Sequence, residues 1–156
     1  MAQRLVVIAA GRAPAASPEA ALFARYAARL RPPLRLVELA EGKGGAAEIR
    51  RREGAAILAA VPEGAVLVAL DLGGVAEGTE AFAARLGRWR EAGRDVAFAI
   101  GGTEGLDRAV IDRAAHVMSL GPLTWPHLLA RAMLAEALFR AESMLRGHPY
   151  HRGGRP

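Results

Sequence analysis

The sequence has no cysteine among its 156 residues, which excludes disulfides, thiolate metal sites and a cysteine nucleophile. Aromatic residues make up only 5% of the chain, and a single lysine, Lys43, stands against twenty arginines. No apolar run approaches the roughly 20 residues that a membrane-spanning helix needs. The first residues also lack the apolar core and cleavage site of a signal peptide, so we expect a cytoplasmic protein that contacts no membrane.

Charge is unevenly distributed along the chain, although the total is only +5. The net charge is +5 over residues 1–61, −3 over residues 62–145 and +3 over residues 146–156. Basic ends favour an anionic partner such as nucleic acid. The excess of arginine over lysine is also typical of a high-GC genome, so charge alone leaves the partner open.

Short apolar segments alternate with longer amphipathic ones, which predicts five strands and five helices in strict alternation. The predicted strands are Arg4–Ala10, Leu34–Leu39, Ala65–Leu70, Val96–Ile100 and His116–Leu120. The predicted helices are Pro18 to about Leu30, Ala46–Ala60, Glu77–Ala92, Arg108–Ala115 and His127–Arg146, with Ser17 and Asp107 as N-caps. This order predicts an α/β fold, with one mostly parallel sheet covered by helices on both faces and a single domain over residues 1–156.

Three predicted strands end in glycine-containing loops, namely Leu70–Gly74, Ile100–Gly105 and Leu120–Trp125. Ligands of α/β proteins bind at such carboxyl ends, although the pattern of each loop alone is better explained as an ordinary tight connection. The Gly101–Gly105 loop is neither a dinucleotide fingerprint nor a P-loop, and the charge of Glu104 opposes a phosphate. We therefore expect a ligand with few phosphates or none.

Other common sites find little support in the sequence. His148 and His151 lie three residues apart without a nearby carboxylate or cysteine, so no metal site is predicted. None of the serines lies in the G-x-S-x-G pattern of hydrolases. The last predicted helix is apolar around most of its circumference, which predicts a dimer interface. Its apolar residues are Leu128, Leu129, Met133, Leu138, Phe139, Met144 and Leu145.

An ordered series of short motifs carries a resemblance to a known family. The motifs are Glu41-Gly-Lys, Arg51–Gly54, Leu70-Asp71, Trp89 to Asp95, Ile100-Gly-Gly-x-x-Gly-Leu106, Leu120-x-x-Leu-Thr-x-Pro-His127, Arg131, Glu136-x-x-x-Arg140 and His148-Pro-Tyr-His151. Over essentially its whole length the chain resembles the ribosomal RNA large-subunit methyltransferase H family. It departs from the family pattern at Gly121-Pro122 and in the extended tail Gly153–Pro156.

The resemblance implies a SPOUT-type fold with a C-terminal trefoil knot over about residues 95–150, and a homodimer. It implies that S-adenosylmethionine is the cofactor and that N3 of a pseudouridine in helix 69 of 23S rRNA is methylated within the assembled ribosome. Carried over by position, the cofactor-binding residues are Leu70, Gly101, Leu120, Gly121, Pro122, Leu123, Thr124 and Trp125.

The same resemblance makes the tail residues His151, Tyr150 and Arg140 candidates for removing the N3 proton or stabilising the anion it leaves. The tail could instead only grip RNA, through Tyr150 stacking and the charges of Arg152 and Arg155. Two functions of other classes also stay open. One is a nucleotide-binding oxidoreductase, and the other is a non-catalytic RNA-binding factor in ribosome assembly.

Overall fold

The computed structural model describes residues 2–152 and contains one sheet of five strands. The strands lie in the order β2-β1-β4-β3-β5, and every neighbouring pair is parallel. Their bounds are β1 Leu5–Ala10, β2 Arg35–Leu39, β3 Val66–Val75, β4 Val96–Ile100 and β5 His116–Met118. The predicted parallel sheet is confirmed, and β1 and β4 are buried along their whole length because both have a neighbour on each side.

Five helices cover the two faces of the sheet. They are α1 Pro18–Ala27, α2 Ala46–Ala60, α3 Thr79–Glu91, α4 Arg108–Arg113 and α5 His127–Leu145. On one face α5 packs between α1 and α3, whereas α2 and α4 pack together on the other. Successive strand residues accordingly enter different cores, since Val7 and Phe98 belong to the first and Ile8 and Ala97 to the second. The prediction of helices on both faces is confirmed.

The N-caps predicted from the sequence are present. Ser17 Oγ accepts the amide hydrogen of Ala20 at 3.0 Å, and Asp107 Oδ2 accepts that of Ala109 at 3.3 Å. Several predicted ends are wrong by a few residues, because α1 ends at Ala27, α4 at Arg113 and β5 at Met118. The sequence pattern continues past each of these points, but element ends depend on the tertiary contacts they meet.

The largest departure from the prediction is at the end of β3, which does not stop at Leu70 but continues to Val75. Leu70 and Val75 both pair with Met118, so residues 71–74 form a bulge between two stretches of regular pairing. Gly74 permits this close approach, because a Cβ there would lie 2.6 Å from the carbonyl carbon of Met118.

The apolar circumference of α5 is used within the chain. Every residue from His127 to Leu145 is buried or half-buried in a single protomer, because α1 and α3 flank the helix. The homodimer therefore stays a prediction, and the apolar surface of α5 alone does not support it. The trefoil knot concerns how the chain threads, which strand order does not test, so it also stays a prediction. None of the helices among residues 2–152 is long and apolar enough to cross a membrane.

Candidate functional site

The three glycine-containing strand ends meet around one cleft at the carboxyl edge of the sheet. The cleft has a volume of about 290 Å³. Of the residues expected to bind a cofactor, seven line it: Leu70, Gly101, Leu120, Gly121, Leu123, Thr124 and Trp125. Pro122 is exposed and does not line the cleft. The extra lining residues include Asp71, Leu72 and Thr103 from the same loops and His127 and Ala130 from the start of α5.

Hydrogen bonds within the loop after β5 shape one wall of the cleft. Ser119 Oγ accepts the amide hydrogen of Gly121 at 3.1 Å and donates to its carbonyl oxygen at 3.0 Å. Trp125 Nε1 donates to the carbonyl oxygen of Leu120 at 3.4 Å, which folds the loop back on itself. Leu123 and Trp125 nevertheless remain 64% and 37% exposed, so this wall presents apolar surface to the cleft mouth.

Gly101 is essential to the opposite wall. A glycine pair after an apolar strand predicts a sharp backbone turn there, with no side chain between the backbone and a ligand. In the structure, a Cβ on Gly101 would lie 2.6 Å from the carbonyl carbon of Gly105. The turn is closed by the amide of Gly105, which donates to the carbonyl oxygen of Gly102 at 3.0 Å. Gly101 is therefore required for the turn itself to form.

Among residues 2–152, no lysine or arginine lines the cleft. Apart from His127, its only ionisable side chain is Asp71, whose Oδ2 accepts the amide hydrogen of Gly73 at 2.9 Å. Two helices begin at this cleft: α4, which has only six residues, and the longer α5, whose first turn reaches the cleft with no lysine or arginine beside it. The side chains of the cleft suit an apolar or positively charged ligand, and a ligand with few phosphates or none stays a prediction.

The three candidate catalytic residues form a separate cluster on α5 and the tail. Arg140 donates from Nε to Glu136 Oε1 at 2.7 Å, and its Nη1 lies 3.2 Å from His151 Nδ1. Because a guanidinium can only donate, Nδ1 is the acceptor, and His151 carries its proton on Nε2, 3.3 Å from Glu80 Oε1. Both ring nitrogens of His151 are therefore engaged in this conformation.

Tyr150 is held by aromatic and cationic neighbours. Its ring lies 4.6 Å from that of Phe139, and Arg140 Cζ lies 4.8 Å from its centroid. Burial, followed by a hydrogen bond with Tyr26, raises the pKa of the Tyr150 hydroxyl above its usual range. A raised pKa keeps the Tyr150 hydroxyl protonated at neutral pH, where it is available as a hydrogen-bond donor.

The tail cluster and the cleft are separated by a shared wall. Arg140 lines a second cavity of about 310 Å³, which the segment Met118–Gly121 divides from the cleft. Tyr150 and His151 line neither cavity. Within one protomer the structure therefore does not bring the candidate catalytic residues into the candidate cofactor site.

The sequence analysis missed two acidic residues that organise these regions. Glu80 on α3 contacts His151, and Glu77 pairs with Arg85 at 2.9 Å and lies 3.0 Å from His116 Nε2. Their histidine partners, His151 and His116, are distant along the chain, so no local pattern indicated these contacts. Among residues 2–152 there is also no group of three or more histidines and carboxylates placed to hold a metal ion.

Comparisons with known proteins agree with this architecture. The family model described as "Predicted SPOUT methyltransferase" matches residues 3–151. The chain is 58% identical to the ribosomal RNA large subunit methyltransferase H of Acidiphilium cryptum, over 98% of this chain and 96% of that protein. It is 50% identical to the protein of the same name from Rhodospirillum centenum, over 96% of this chain and 99% of that one.

Two solved structures share the fold at low sequence identity. Ribosomal RNA small subunit methyltransferase E of Neisseria gonorrhoeae, bound to S-adenosylmethionine, has a TM-score of 0.52 and 11% identity, with 92% of this chain and 66% of that one covered. The SpoU methyltransferase AviRb of Streptomyces viridochromogenes, in complex with the same cofactor, has a TM-score of 0.50 and 14% identity, with 98% and 60% covered. From the full-length family match and the close relatives, the chain belongs to the SPOUT methyltransferases and, among them, to the ribosomal RNA large subunit methyltransferase H family.

Proposed function

We propose that this protein transfers a methyl group from S-adenosylmethionine to N3 of a pseudouridine in helix 69 of 23S rRNA, within the assembled ribosome. The observation that carries the proposal is the cation-free cleft formed by the loops around Leu70, Gly101 and Leu120. Relatives named ribosomal RNA large subunit methyltransferase H support the rRNA substrate. The two similar structures that contain S-adenosylmethionine support the cofactor.

The cleft fits the chemistry of the proposed cofactor. When bound, S-adenosylmethionine supplies an activated methyl group on a positively charged sulfur, and it carries no phosphate. Leu70, Leu120 and Leu123 offer apolar surface for the faces of the adenine. Backbone groups of the glycine turn are available to the polar edge of the base, and the carboxylate of Asp71 suits a cationic ligand.

The residues of the tail cluster suit the acceptor half of the reaction. Methyl transfer is an in-line displacement in which positioning dominates, and N3 of the acceptor must lose its proton to become a nucleophile. The pKa of Arg140 is raised chiefly by its hydrogen bond to Glu136. Arg140 therefore stays cationic and can stabilise the developing anion. His151 serves as the base in this proposal, once its Nδ1 leaves Arg140.

A homodimer resolves the separation between the cluster and the cleft, because the tail of one protomer then completes the cofactor site of the other. In support, four of the five exposed large apolar residues within residues 2–152 lie at the end of β3 or in the loop after β5, around the cleft and the adjoining cavity: Leu72, Val75, Leu123 and Trp125. Exposed apolar residues gathered at one edge are typical of a protein interface. We place the reaction in the cytoplasm, where assembled ribosomes are found.

Methylation of purified ribosomes tests this function directly. The protein is incubated with tritiated S-adenosylmethionine and 70S ribosomes, and ribosomes from a strain without the helix 69 pseudouridines serve as the matched control. We expect label in 23S rRNA from the first ribosomes and none from the second. The absence of label in any particle containing 23S rRNA would refute the proposed activity.

Calorimetry separates the three functional classes considered from the sequence. We expect binding of S-adenosylmethionine and none of NAD, since the lining of the cleft has no cation for a pyrophosphate. An oxidoreductase requires the opposite result. A purely RNA-binding assembly factor requires that neither ligand binds. Sedimentation equilibrium on the same sample tests the homodimer.

A further inference from the structure

The side chain of Glu53, on α2, lies directly behind the cofactor cleft although it does not line it. Glu53 is only 4% exposed. A Cβ added to Gly102, which does line the cleft, would come within 3.3 Å of Glu53 Oε1. Because Gly102 has no side chain, only its backbone stands between the carboxylate and the ligand space.

The carboxylate of Glu53 is poorly compensated for a buried charge. Its Oε2 accepts the amide hydrogen of Gly42 at 3.0 Å. Its Oε1 is shielded from solvent and accepts no hydrogen bond within the described part of the chain. No arginine, lysine or histidine among those residues forms a salt bridge with it, and the charged neighbour on its helix, Arg52, pairs with Glu48 instead.

The helix that carries Glu53, α2, packs closely against the β4–α4 connection. The next residue, Gly54, is pressed against the β4–α4 connection, where a Cβ would lie 2.8 Å from Asp107 Cβ. A buried carboxylate with one unpaired oxygen costs stability, and packing alone gives no reason for a charged group at this position. A carboxylate with a purely structural role would need only to accept the hydrogen bond from the amide of Gly42. A neutral amide oxygen can accept that bond as well.

We propose that Glu53 is a specificity-determining residue whose buried negative charge, acting through the bare backbone of Gly102, makes the cleft prefer the cationic methyl donor over its neutral product. This role rests on the proposed function, since it takes the occupant of the cleft to be S-adenosylmethionine. Transfer of the methyl group converts the sulfonium cation to the neutral thioether of S-adenosylhomocysteine. Charge interactions are weakly screened in a partly buried site, so Glu53 attracts the sulfonium cation before transfer. The attraction is absent afterwards because the thioether is neutral. The charge therefore favours entry of donor and release of product.

Calorimetry with three ligands tests the role of Glu53. The ligands are S-adenosylmethionine, S-adenosylhomocysteine and sinefungin, which has a protonated amine in place of the sulfonium. In Glu53→Gln we expect affinity to fall on the order of tenfold for the two cationic ligands and less than twofold for the neutral one. Glu48→Gln is the matched control, because it removes a charge from the same helix at a solvent-exposed ion pair. It should leave all three affinities unchanged.

Two outcomes of the calorimetry would overturn the role of Glu53, and a third would overturn the proposed function itself. Equal loss for all three ligands in Glu53→Gln, or no loss for any, shows that the carboxylate is only structural. Glu53→Asp guards against a variant that fails to fold: it keeps the charge, and we expect it to retain a preference for the cationic ligands over the neutral one. A wild-type protein that binds none of the three overturns the proposed function, and the role of Glu53 with it.

Discussion

Arg131 on α5 donates from Nη1 to Glu38 Oε2 on β2 over 2.7 Å, joining residues that are 93 positions apart in the chain. Its Nη2 also donates to the carbonyl oxygen of Gly11, at 2.9 Å. Arg131 is 2% exposed, so one buried guanidinium ties the last helix to the ends of the two strands at one side of the sheet. This connection lies next to the cleft, since Ala130 lines it.

Replacing Arg131 by methionine should destabilise the fold strongly. The change removes the charged partner of Glu38, which keeps only the amide hydrogen of Ala13, and leaves the buried carbonyl oxygen of Gly11 without this donor; breaking a pair of this kind costs about 3 kcal/mol. Urea unfolding followed by circular dichroism measures the loss. Arg52→Gln is the control, because its pair with Glu48 is exposed and contributes at most about 0.5 kcal/mol. Similar midpoints for the two variants would contradict the structural role of Arg131.

Gly101→Ala should abolish cofactor binding while leaving the secondary structure in place. The new methyl group collides with the backbone of Gly105, so the turn that walls the cleft cannot close. We expect more than about tenfold weaker binding of S-adenosylmethionine by calorimetry, with an unchanged far-ultraviolet spectrum. In Gly45→Ala, the control, the added methyl group meets no atom within 4 Å. Wild-type affinity in Gly101→Ala would show that the turn does not form the site.

His151→Ala should spare cofactor binding and reduce turnover, because His151 lies outside the lining of the cleft. Loss of a general base slows a reaction by about 10²- to 10⁴-fold. Single-turnover methylation of ribosomes measures the rate, and calorimetry measures the affinity. Glu80→Ala distinguishes orientation from catalysis, since it removes the acceptor for His151 Nε2 while leaving the imidazole in place, and it should have a smaller effect. Normal turnover in His151→Ala removes His151 from the mechanism.

Stability should fall as the pH drops through the mildly acidic range, because of His116. Burial, followed by the charge of Arg85, lowers the pKa of His116 below its usual value of 6.5, although Glu77 acts in the opposite direction. A lowered pKa means that the unfolded chain binds more protons than the folded one. Stability is therefore fully present above about pH 6.5 and is lost as the pH falls toward the folded value.

Urea midpoints measured between pH 7.5 and 5.5 test this dependence on His116. We expect a decline in the wild type and a flatter profile in His116→Gln. The pKa of Glu77, lowered chiefly by its hydrogen bond to Arg85, affects stability only at lower pH, below about 4.5. A slope in His116→Gln equal to that of the wild type would assign the effect to other groups.

Local patterns in the sequence were sufficient to predict the elements. The uninterrupted apolar runs at β1 and β4 correspond to the two strands that are buried on both faces, and Ser17 and Asp107 cap the helices that follow them. The β3 bulge was not predictable, because it depends on the approach of Met118, more than forty residues later. Periodicity describes what one segment can bury but not which partner it meets.

The sequence by itself determined the order of strands and helices, the family, and the three strand ends that line the cleft, because each depends on residues close together in the chain. Only the tertiary structure decided that a Cβ on Gly101 would collide with Gly105, that Arg140 and His151 lie across a wall from the cleft in one protomer, and that Glu53 lies behind Gly102. These relationships join distant residues through packing and buried hydrogen bonds, so no pattern of neighbouring residues in the sequence indicates them.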